Sequence, residues 1–175
     1  MRLRHAIFIA GTVGLSACAT VPPPAPSASA AIADAAGRAV ARAKVRQGPN
    51  GLSVHVEAAG LAAGTYGIHV HAVGRCEGPA FASAGPHWNP TARQHGRDNP
   101  AGAHMGDLPN LTVGADGRGA VDFDLSGAAL MGAGSNVLLD ADGAAIVVHA
   151  QADDYRTDPS GNSGARIACG VLAAA

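Results

Sequence analysis

The chain has 175 residues, of which 47% are hydrophobic, and a formal net charge of -1 at pH 7. This length fits one domain with a short additional segment. Because opposite charges nearly balance, the composition excludes a basic surface for nucleic acid and a broad acidic face, so attraction of a charged ligand has to be local.

The first 18 residues have the composition of an export signal. Arg2 and Arg4 precede an apolar stretch over residues 6–15, which is too short to span a bilayer as a permanent helix. Residues 15–18, Leu-Ser-Ala-Cys, resemble a bacterial lipobox, in which Cys18 is acylated and becomes the first residue of the mature protein. The alternative is an ordinary secretory peptide that is cut nearby, at a small-residue site ending at Ala19.

Residues 19–30 are rich in Pro, Ala and Ser and are expected to form an extended tether between a membrane and the domain. Stable anchoring requires more than one acyl chain. We therefore expect a protein on the periplasmic side of a bacterial cell envelope that contacts the membrane only through the lipid on Cys18. Ala19 follows this cysteine instead of Asp, which under enterobacterial sorting favours the outer membrane.

The three cysteines agree with export. With Cys18 assigned to the lipid, Cys76 and Cys169 remain as an even pair in an oxidising compartment, where disulfides persist. We predict that these two are bonded. Two separate buried thiols are the alternative.

Beyond the tether, short runs of alternating polar and apolar residues are separated by turn residues. The turn sequence Gly-Pro-Asn-Gly at 48–51 predicts a β-hairpin. Since no segment has a helical period, an all-β antiparallel sandwich or flattened barrel is expected. The long irregular segments 74–108 and 151–165 are of the kind that usually carries function. The eight predicted strands are residues 28–34, 39–47, 52–57, 66–72, 111–114, 120–125, 144–150 and 166–171.

Histidines concentrate in one part of the chain. His69 and His71 lie two residues apart on a predicted strand, so both side chains leave the same face and can reach one ion. Such a pair alone is weak evidence, but the next irregular segment and a later strand add His87, His95, His104, Asp107 and His149. With His5 set aside in the export signal, six of seven histidines belong to this set, which indicates metal binding. The seventh, His55, is expected to be a solvated strand residue.

Imidazole nitrogens suit copper and zinc, and a carboxylate among nitrogen ligands favours zinc. Seven ligands can hold two four-coordinate ions only if one ligand is shared. An imidazole can be shared because its two ring nitrogens point apart, but it then has to lose both ring protons. The spacing alone does not identify the shared histidine.

A series of motifs in this region resembles the copper/zinc superoxide dismutase family. They recur in the order and spacing of the family between residue 31 and the C-terminus, and they imply an eight-stranded Greek-key β-barrel with long metal-binding and electrostatic loops. The motifs are Gly-Ile-His-Val-His at 67–71, Ser-Ala-Gly-Pro-His-Trp-Asn-Pro at 83–90, His-Gly at 95–96, His-Met-Gly-Asp-Leu at 104–108, Val-Val-His at 147–149, Ala-Asp-Asp at 152–154 and Gly-Asn-Ser-Gly-Ala-Arg-Ile-Ala-Cys-Gly-Val at 161–171.

Carried over residue by residue, the resemblance implies one copper and one zinc per subunit, with His87 as the bridge. Asp153 then matches the carboxylate that fixes ring orientation by hydrogen bonds to His69 and His95. Arg166 matches the arginine that docks a small anion beside the copper channel. The alternatives for these two are an ordinary loop carboxylate and a surface charge. The implied copper ligands are His69, His71, His87 and His149, and the implied zinc ligands are His87, His95, His104 and Asp107.

The reaction implied by the resemblance is dismutation of superoxide to oxygen and hydrogen peroxide. In the family, copper changes oxidation state while the bridging His87 gains and loses a proton, and zinc has no redox role. The family disulfide corresponds to Cys76 and Cys169 and is expected to hold the backbone near Cys76 where it orients Arg166.

An exported copper- and zinc-binding protein of the same fold without dismutase activity is the alternative function. Such relatives usually lack copper ligands or the arginine, whereas this chain has all seven ligands and Arg166, which favours the enzyme. A purely structural envelope lipoprotein would leave the histidines unexplained.

Two features of the sequence differ from the usual pattern of this family. The electrostatic loop at residues 151–165 is short and has no lysine, so we expect Arg156 to replace part of the missing steering charge. Cys76 follows His71 closely and residues 77–86 precede His87, which is a bacterial layout and leaves open whether the chain forms a homodimer.

Overall fold

The computed structural model describes residues 23–175, so the predicted export signal, Cys18 and the first residues of the predicted tether lie outside the described residues. The described part is all-β, with ten strands and one 3₁₀ turn at Ala82–Ala84. None of its helical residues form a helix long and apolar enough to cross a membrane. The strands are Ser27–Asp34 (β1), Ala39–Gly48 (β2), Gly51–Ala59 (β3), Gly64–Tyr66 (β4), Ile68–His71 (β5), Leu111–Val113 (β6), Arg118–Ser126 (β7), Ala145–His149 (β8), Arg166–Val171 (β9) and Ala173–Ala174 (β10).

All eight predicted strands are present, several of them with shifted ends, and two of the differences have a structural reason. β1 begins at Ser27, inside the range assigned to the tether, because Ala28 and Ala30 are buried and the strand pairs with β2 from its first residue. The strand predicted over residues 66–72 is divided at Gly67 into β4 and β5. Gly67 packs tightly there, since a Cβ on it would lie 2.8 Å from the Cβ of Ser163.

The main sheet is antiparallel and has the order β5-β8-β9-β1-β2-β3-β7, with β10 paired to β1. β3 pairs with β7 and not with the next strand in the chain, which is the crossover of a Greek key. β4 pairs with β6 and runs on through Gly67 into β5, so the second sheet continues the first around one core. The fold class predicted from the sequence, a flattened all-β barrel, is confirmed.

The alternation of β5 and β8 separates the core from the histidines. One face of these strands is fully buried in the main core, where it contributes Ile68, Val70, Ile146 and Val148. His69 and His71 leave the opposite face. On that face the loop after β5 covers the sheet, and Phe81 and Ala84 pack there in a second hydrophobic cluster.

Cys76 and Cys169 form a disulfide with their Cα atoms 5.6 Å apart, which confirms the predicted pairing. The bond ties the loop after β5 to β9 across 93 residues of chain. Cys169 is buried in the same cluster as Phe81. The disulfide therefore anchors the loop to the sheet beside the histidines.

Replacing Cys76 and Cys169 with serine is expected to lower the free energy of unfolding by about 2–5 kcal/mol, because a cross-link closing a long loop restricts the unfolded chain. Denaturant unfolding of the metal-free variant and parent under non-reducing conditions measures the change. Reduction of the parent is the matched control and should give the same shift. Equal unfolding midpoints for the oxidised parent and the variant would contradict the prediction.

Candidate metal centre

Seven side chains singled out in the sequence meet in two groups, and within each group the ligand atoms lie within 4.8 Å of one another. His87 belongs to both groups. β5 and β8 position three members, and the loop between β5 and β6 supplies the others. The copper group, as we call it, is His69, His71, His87 and His149, and the zinc group is His87, His95, His104 and Asp107.

Hydrogen bonds fix which ring nitrogen faces the copper group. His71 Nδ1 donates to the carbonyl of Gly85 at 2.9 Å, and His149 Nδ1 donates to that of Gly164 at 3.2 Å. Because a carbonyl only accepts, each Nδ1 carries the proton and each Nε2 keeps a lone pair. Among the described residues, neither Nε2 has a hydrogen-bond partner, although both atoms are buried. Buried lone pairs of this kind suit a metal ion.

Asp153 links the two groups. Its Oδ2 accepts a hydrogen bond from His69 Nε2 at 2.7 Å, and its Oδ1 accepts one from His95 Nε2 at 3.0 Å. All three side chains are buried. Each ring therefore turns its Nδ1 toward its own group, and in the described structure both Nδ1 atoms lack a hydrogen bond.

The carboxylate of Asp107 is the centre of the zinc group. Its Oδ2 accepts hydrogen bonds from the backbone N–H groups of Gly96 at 2.9 Å and His104 at 3.0 Å. Its Oδ1 faces the Nδ1 atoms of His87 and His104 at 3.0 Å and that of His95 at 3.1 Å. The His95 contact is close but lacks the alignment of a hydrogen bond. Three imidazole nitrogens and one carboxylate oxygen form a donor set typical of zinc.

Burial keeps the copper group neutral before a metal binds. Removal from water lowers the pKa of His69 to about 3 and that of His149 to about 4. The same cause lowers the pKa values of His71 and His87. Neutral imidazole is the form that binds metal ions, so these rings need not be deprotonated first to offer a lone pair.

The zinc group is charged instead. Burial acts to lower the pKa of His95, but the carboxylates of Asp107 and Asp153 outweigh it and raise this pKa to about 9. Burial also acts to raise the pKa of Asp107, but hydrogen bonds from the surrounding histidines hold it well below its usual range. Metal binding at this group therefore has to displace a proton from His95.

Arg166 lies at a cleft of about 710 Å³ that is also lined by His87 and His149. Its guanidinium donates to the carbonyls of Phe81 at 2.8 Å and Gly85 at 2.7 Å. Both carbonyls belong to the loop that carries Cys76, in its later part and not at Cys76 itself. The disulfide and the Phe81 side chain share one buried cluster, and this packing brings the later part of the loop to the guanidinium.

Sequence reasoning missed two residues of the site. The side chain of Asn110 binds both backbone groups of Asp153, and Arg93 lines the cleft. The only indication in the sequence was the position of each beside a ligand. Asn110 lies three residues after Asp107, and Arg93 lies two residues before His95. Arg156 is not among the described residues that line the cleft.

His55 lies outside both groups, as expected for a solvated residue. Its side chain is 42% exposed on the outer face of β3. Its Nδ1 lies 2.7 Å from Asp122 Oδ1. His55 is therefore a surface residue that pairs with Asp122 and lies apart from the metal ligands, as the alternation of β3 predicted.

The donor sets fit copper and zinc, and comparison with known proteins agrees. The sequence profile described as "Copper/zinc superoxide dismutase (SODC)" matches residues 36–172. The "Superoxide dismutase-like protein YojM" of Bacillus subtilis is 46% identical over 138 residues, which are 78% of this chain and 70% of that protein. The Cu-Zn superoxide dismutase of Caulobacter vibrioides is 41% identical over 148 residues, 83% of this chain and 85% of the relative.

A solved structure shows the same likeness in three dimensions. The crystal structure of a superoxide dismutase-like protein from Bacillus subtilis is similar with a TM-score of 0.78 at 42% identity, over 83% of this chain and 97% of that one. Residues 36–172, which the family profile matches, contain both groups of ligands and most of the barrel. The chain therefore belongs to the copper/zinc superoxide dismutase family.

Proposed function

We propose that this protein dismutates superoxide to oxygen and hydrogen peroxide, with copper held by the copper group and zinc by the zinc group. The observation that carries the proposal is the ring of His87, which belongs to both groups. When bound, copper supplies one-electron redox chemistry and zinc supplies none.

His87 is the residue placed to move a proton at the cleft. Its Nδ1 is engaged with Asp107 Oδ1 at 3.0 Å, so Nε2 is the nitrogen left for proton exchange. Burial lowers the pKa of His87, while Asp107 opposes that shift. Because these two effects on its pKa oppose each other, the His87 ring can release a proton and take it up again beside the substrate.

Arg166 is placed to bind the substrate anion. Two of its N–H groups are fixed by the carbonyls of Phe81 and Gly85, and the guanidinium remains at the cleft with its permanent charge. A cation fixed in this way docks a small anion without the entropy cost of ordering a free side chain. Superoxide is therefore held near His87 and His149.

A metal-binding protein without dismutase activity is the second candidate, because relatives from Bacillus subtilis are named superoxide dismutase-like. One solved variant of that protein has histidine in place of a tyrosine and a proline. The present chain has all four histidines of the copper group and Arg166 at the cleft. This complete set favours the enzyme.

The purified chain, loaded with copper and zinc, is expected to bind one equivalent of each and to consume superoxide. Removal of copper by a chelator should abolish the activity, because His87 and Arg166 have no redox chemistry of their own. Metal analysis and a superoxide assay on the same preparation measure both. His71→Ala should lose copper, and His55→Ala, which changes a histidine outside both groups, should match the parent. A fully metallated protein that leaves superoxide untouched would establish the second candidate.

Replacement of Arg93 by serine is expected to lower kcat/KM by about two- to fivefold at low ionic strength, because a charge at the cleft attracts the anion before it binds. The salt dependence should flatten, since ions screen charges beyond about 10 Å at 0.1 M. Arg156→Ser is the matched control and tests the expectation from the sequence. We expect a smaller effect from it, because Arg156 does not line the described cleft. An Arg156 effect as large as that of Arg93 would contradict this.

We also propose that Cys18 carries a lipid and that the domain lies on the periplasmic side of a bacterial envelope. The support is the signal at residues 1–18 and the Pro-rich segment between Cys18 and β1. The disulfide between Cys76 and Cys169 suits an oxidising compartment.

Mass spectrometry of the mature N-terminus is expected to find an acylated Cys18, and globomycin should cause the uncut form to accumulate. Cys18→Ser should leave the protein unlipidated, while Cys76→Ser should leave the lipid in place. A water-soluble mature chain that begins beyond Cys18 would show the secretory alternative instead.

A further inference from the structure

Two residues outside the ligand set hold the carboxylate that links the groups. We infer that Asn110 and Gly161 are positioning residues of the metal centre and act through Asp153. The inference rests on the proposed function in one respect only, namely that the chain binds both metals. It does not depend on turnover.

Asn110 clasps the main chain of Asp153. Its Nδ2 donates to the Asp153 carbonyl at 2.9 Å, and its Oδ1 accepts from the Asp153 N–H at 2.8 Å. Because these bonds use both ends of the amide, they fix the direction of the peptide as well as its position. Asn110 lies three residues after Asp107, so the clasp joins the zinc-binding segment to the electrostatic loop.

Tyr155 forms a second link between Asn110 and Asp153. Its hydroxyl oxygen accepts from the Asn110 N–H at 2.8 Å, and its own N–H donates to Asp153 Oδ1 at 2.6 Å. The carboxylate is thus set by its backbone clasp and by a direct bond to the oxygen that also faces His95. The Tyr155 bond runs through the Asn110 main chain, so replacing the Asn110 side chain removes only the two bonds to the Asp153 backbone.

Gly161 packs directly against the Asp153 carboxylate and the His95 ring. Its φ is 62°, and a Cβ added there would overlap Asp153 Oδ1 and lie 2.7 Å from His95 Nε2. These two atoms form the Asp153–His95 hydrogen bond. The glycine cannot retreat freely, because its N–H donates to Thr157 at 2.6 Å and its carbonyl accepts from Asp154 at 2.9 Å. Only a residue without a side chain leaves the bond intact.

The consequence reaches both groups at once. Asp153 holds His69 of the copper group and His95 of the zinc group by their Nε2 atoms, so each ring presents Nδ1 to its group. A displaced carboxylate would misorient one ligand of each group. Asn110 and Gly161 touch no lone pair that faces a metal, yet their replacement should weaken both sites.

Metal binding without turnover tests the inference in the full chain. Cobalt(II) absorption probes the zinc group, copper(II) electron paramagnetic resonance probes the copper group, and chelator competition gives each affinity. Asp153→Asn is the reference and is expected to lose about 10- to 100-fold in affinity, as is usual for residues that orient metal ligands. Asn110→Ala and Gly161→Ala should each lose about tenfold at both groups. Their spectra should shift in the same direction as those of Asp153→Asn.

Two variants control for general damage. Gly127→Ala has a similar backbone strain, with a φ of 75°, but an added Cβ has no neighbour within 4 Å in the described part of the chain. Asn136→Ala removes a half-buried asparagine whose two side-chain hydrogen bonds are long, at 3.5 Å to the Gly127 carbonyl and 3.3 Å from Ser135 Oγ. Both should bind the two metals like the parent.

Parental affinities and spectra in Asn110→Ala and Gly161→Ala would overturn the inference, as would equal losses in Gly127→Ala and Gly161→Ala. If Gly161→Ala does not fold, Asn110→Ala and the milder Asn110→Ser decide by the same measurements. A parent chain that binds both metals but spares superoxide overturns the proposed function alone. A parent that binds neither overturns both.

Discussion

The candidate metal centre depends on hydrogen-bond acceptors that hold four of its six imidazoles by the nitrogen facing away from the ligand group. The carbonyls of Gly85 and Gly164 hold His71 and His149, and Asp153 holds two further rings. The opposite nitrogens are buried without partners among the described residues. An unsatisfied buried polar atom costs about 1–3 kcal/mol. The fold therefore orients these rings at a cost in stability, which a bound metal would offset.

One carbonyl holds both a histidine of the copper group and Arg166. Gly85 accepts from His71 Nδ1 and from the guanidinium of Arg166, so the ligand and the cation share an acceptor. The loop that carries this carbonyl is tied to β9 by the disulfide and by the packing of Phe81. A change at the disulfide is thus transmitted to a copper ligand as well as to Arg166, because both depend on where this loop lies.

The sequence predicts those structural features that follow from a regular spacing of residues along a short stretch of chain. Alternation gave all eight strands, and the two-residue spacing of His69 and His71 put both on one face of β5. Spacing could not identify the shared histidine, since the loop around His87 has no period. Asn110 escaped detection because its partner Asp153 is 43 residues away, and an asparagine after a motif has no distinctive pattern. The carbonyls of Phe81 and Gly85, which orient Arg166, could not be predicted either, because their positions depend on how the loop packs in the buried cluster.

The electrostatic loop belongs to the metal centre irrespective of its charge. It has no lysine, yet it supplies the acceptors for three rings: Asp153 for His69 and His95, and the Gly164 carbonyl for His149. Steering acts on the rate of encounter and is reduced by salt, whereas ring orientation determines whether metal binds at all. A shortened loop that loses lysines loses only part of the encounter rate. One that loses these acceptors leaves rings of both groups free to turn, so the acceptors are the part of the loop that the centre requires.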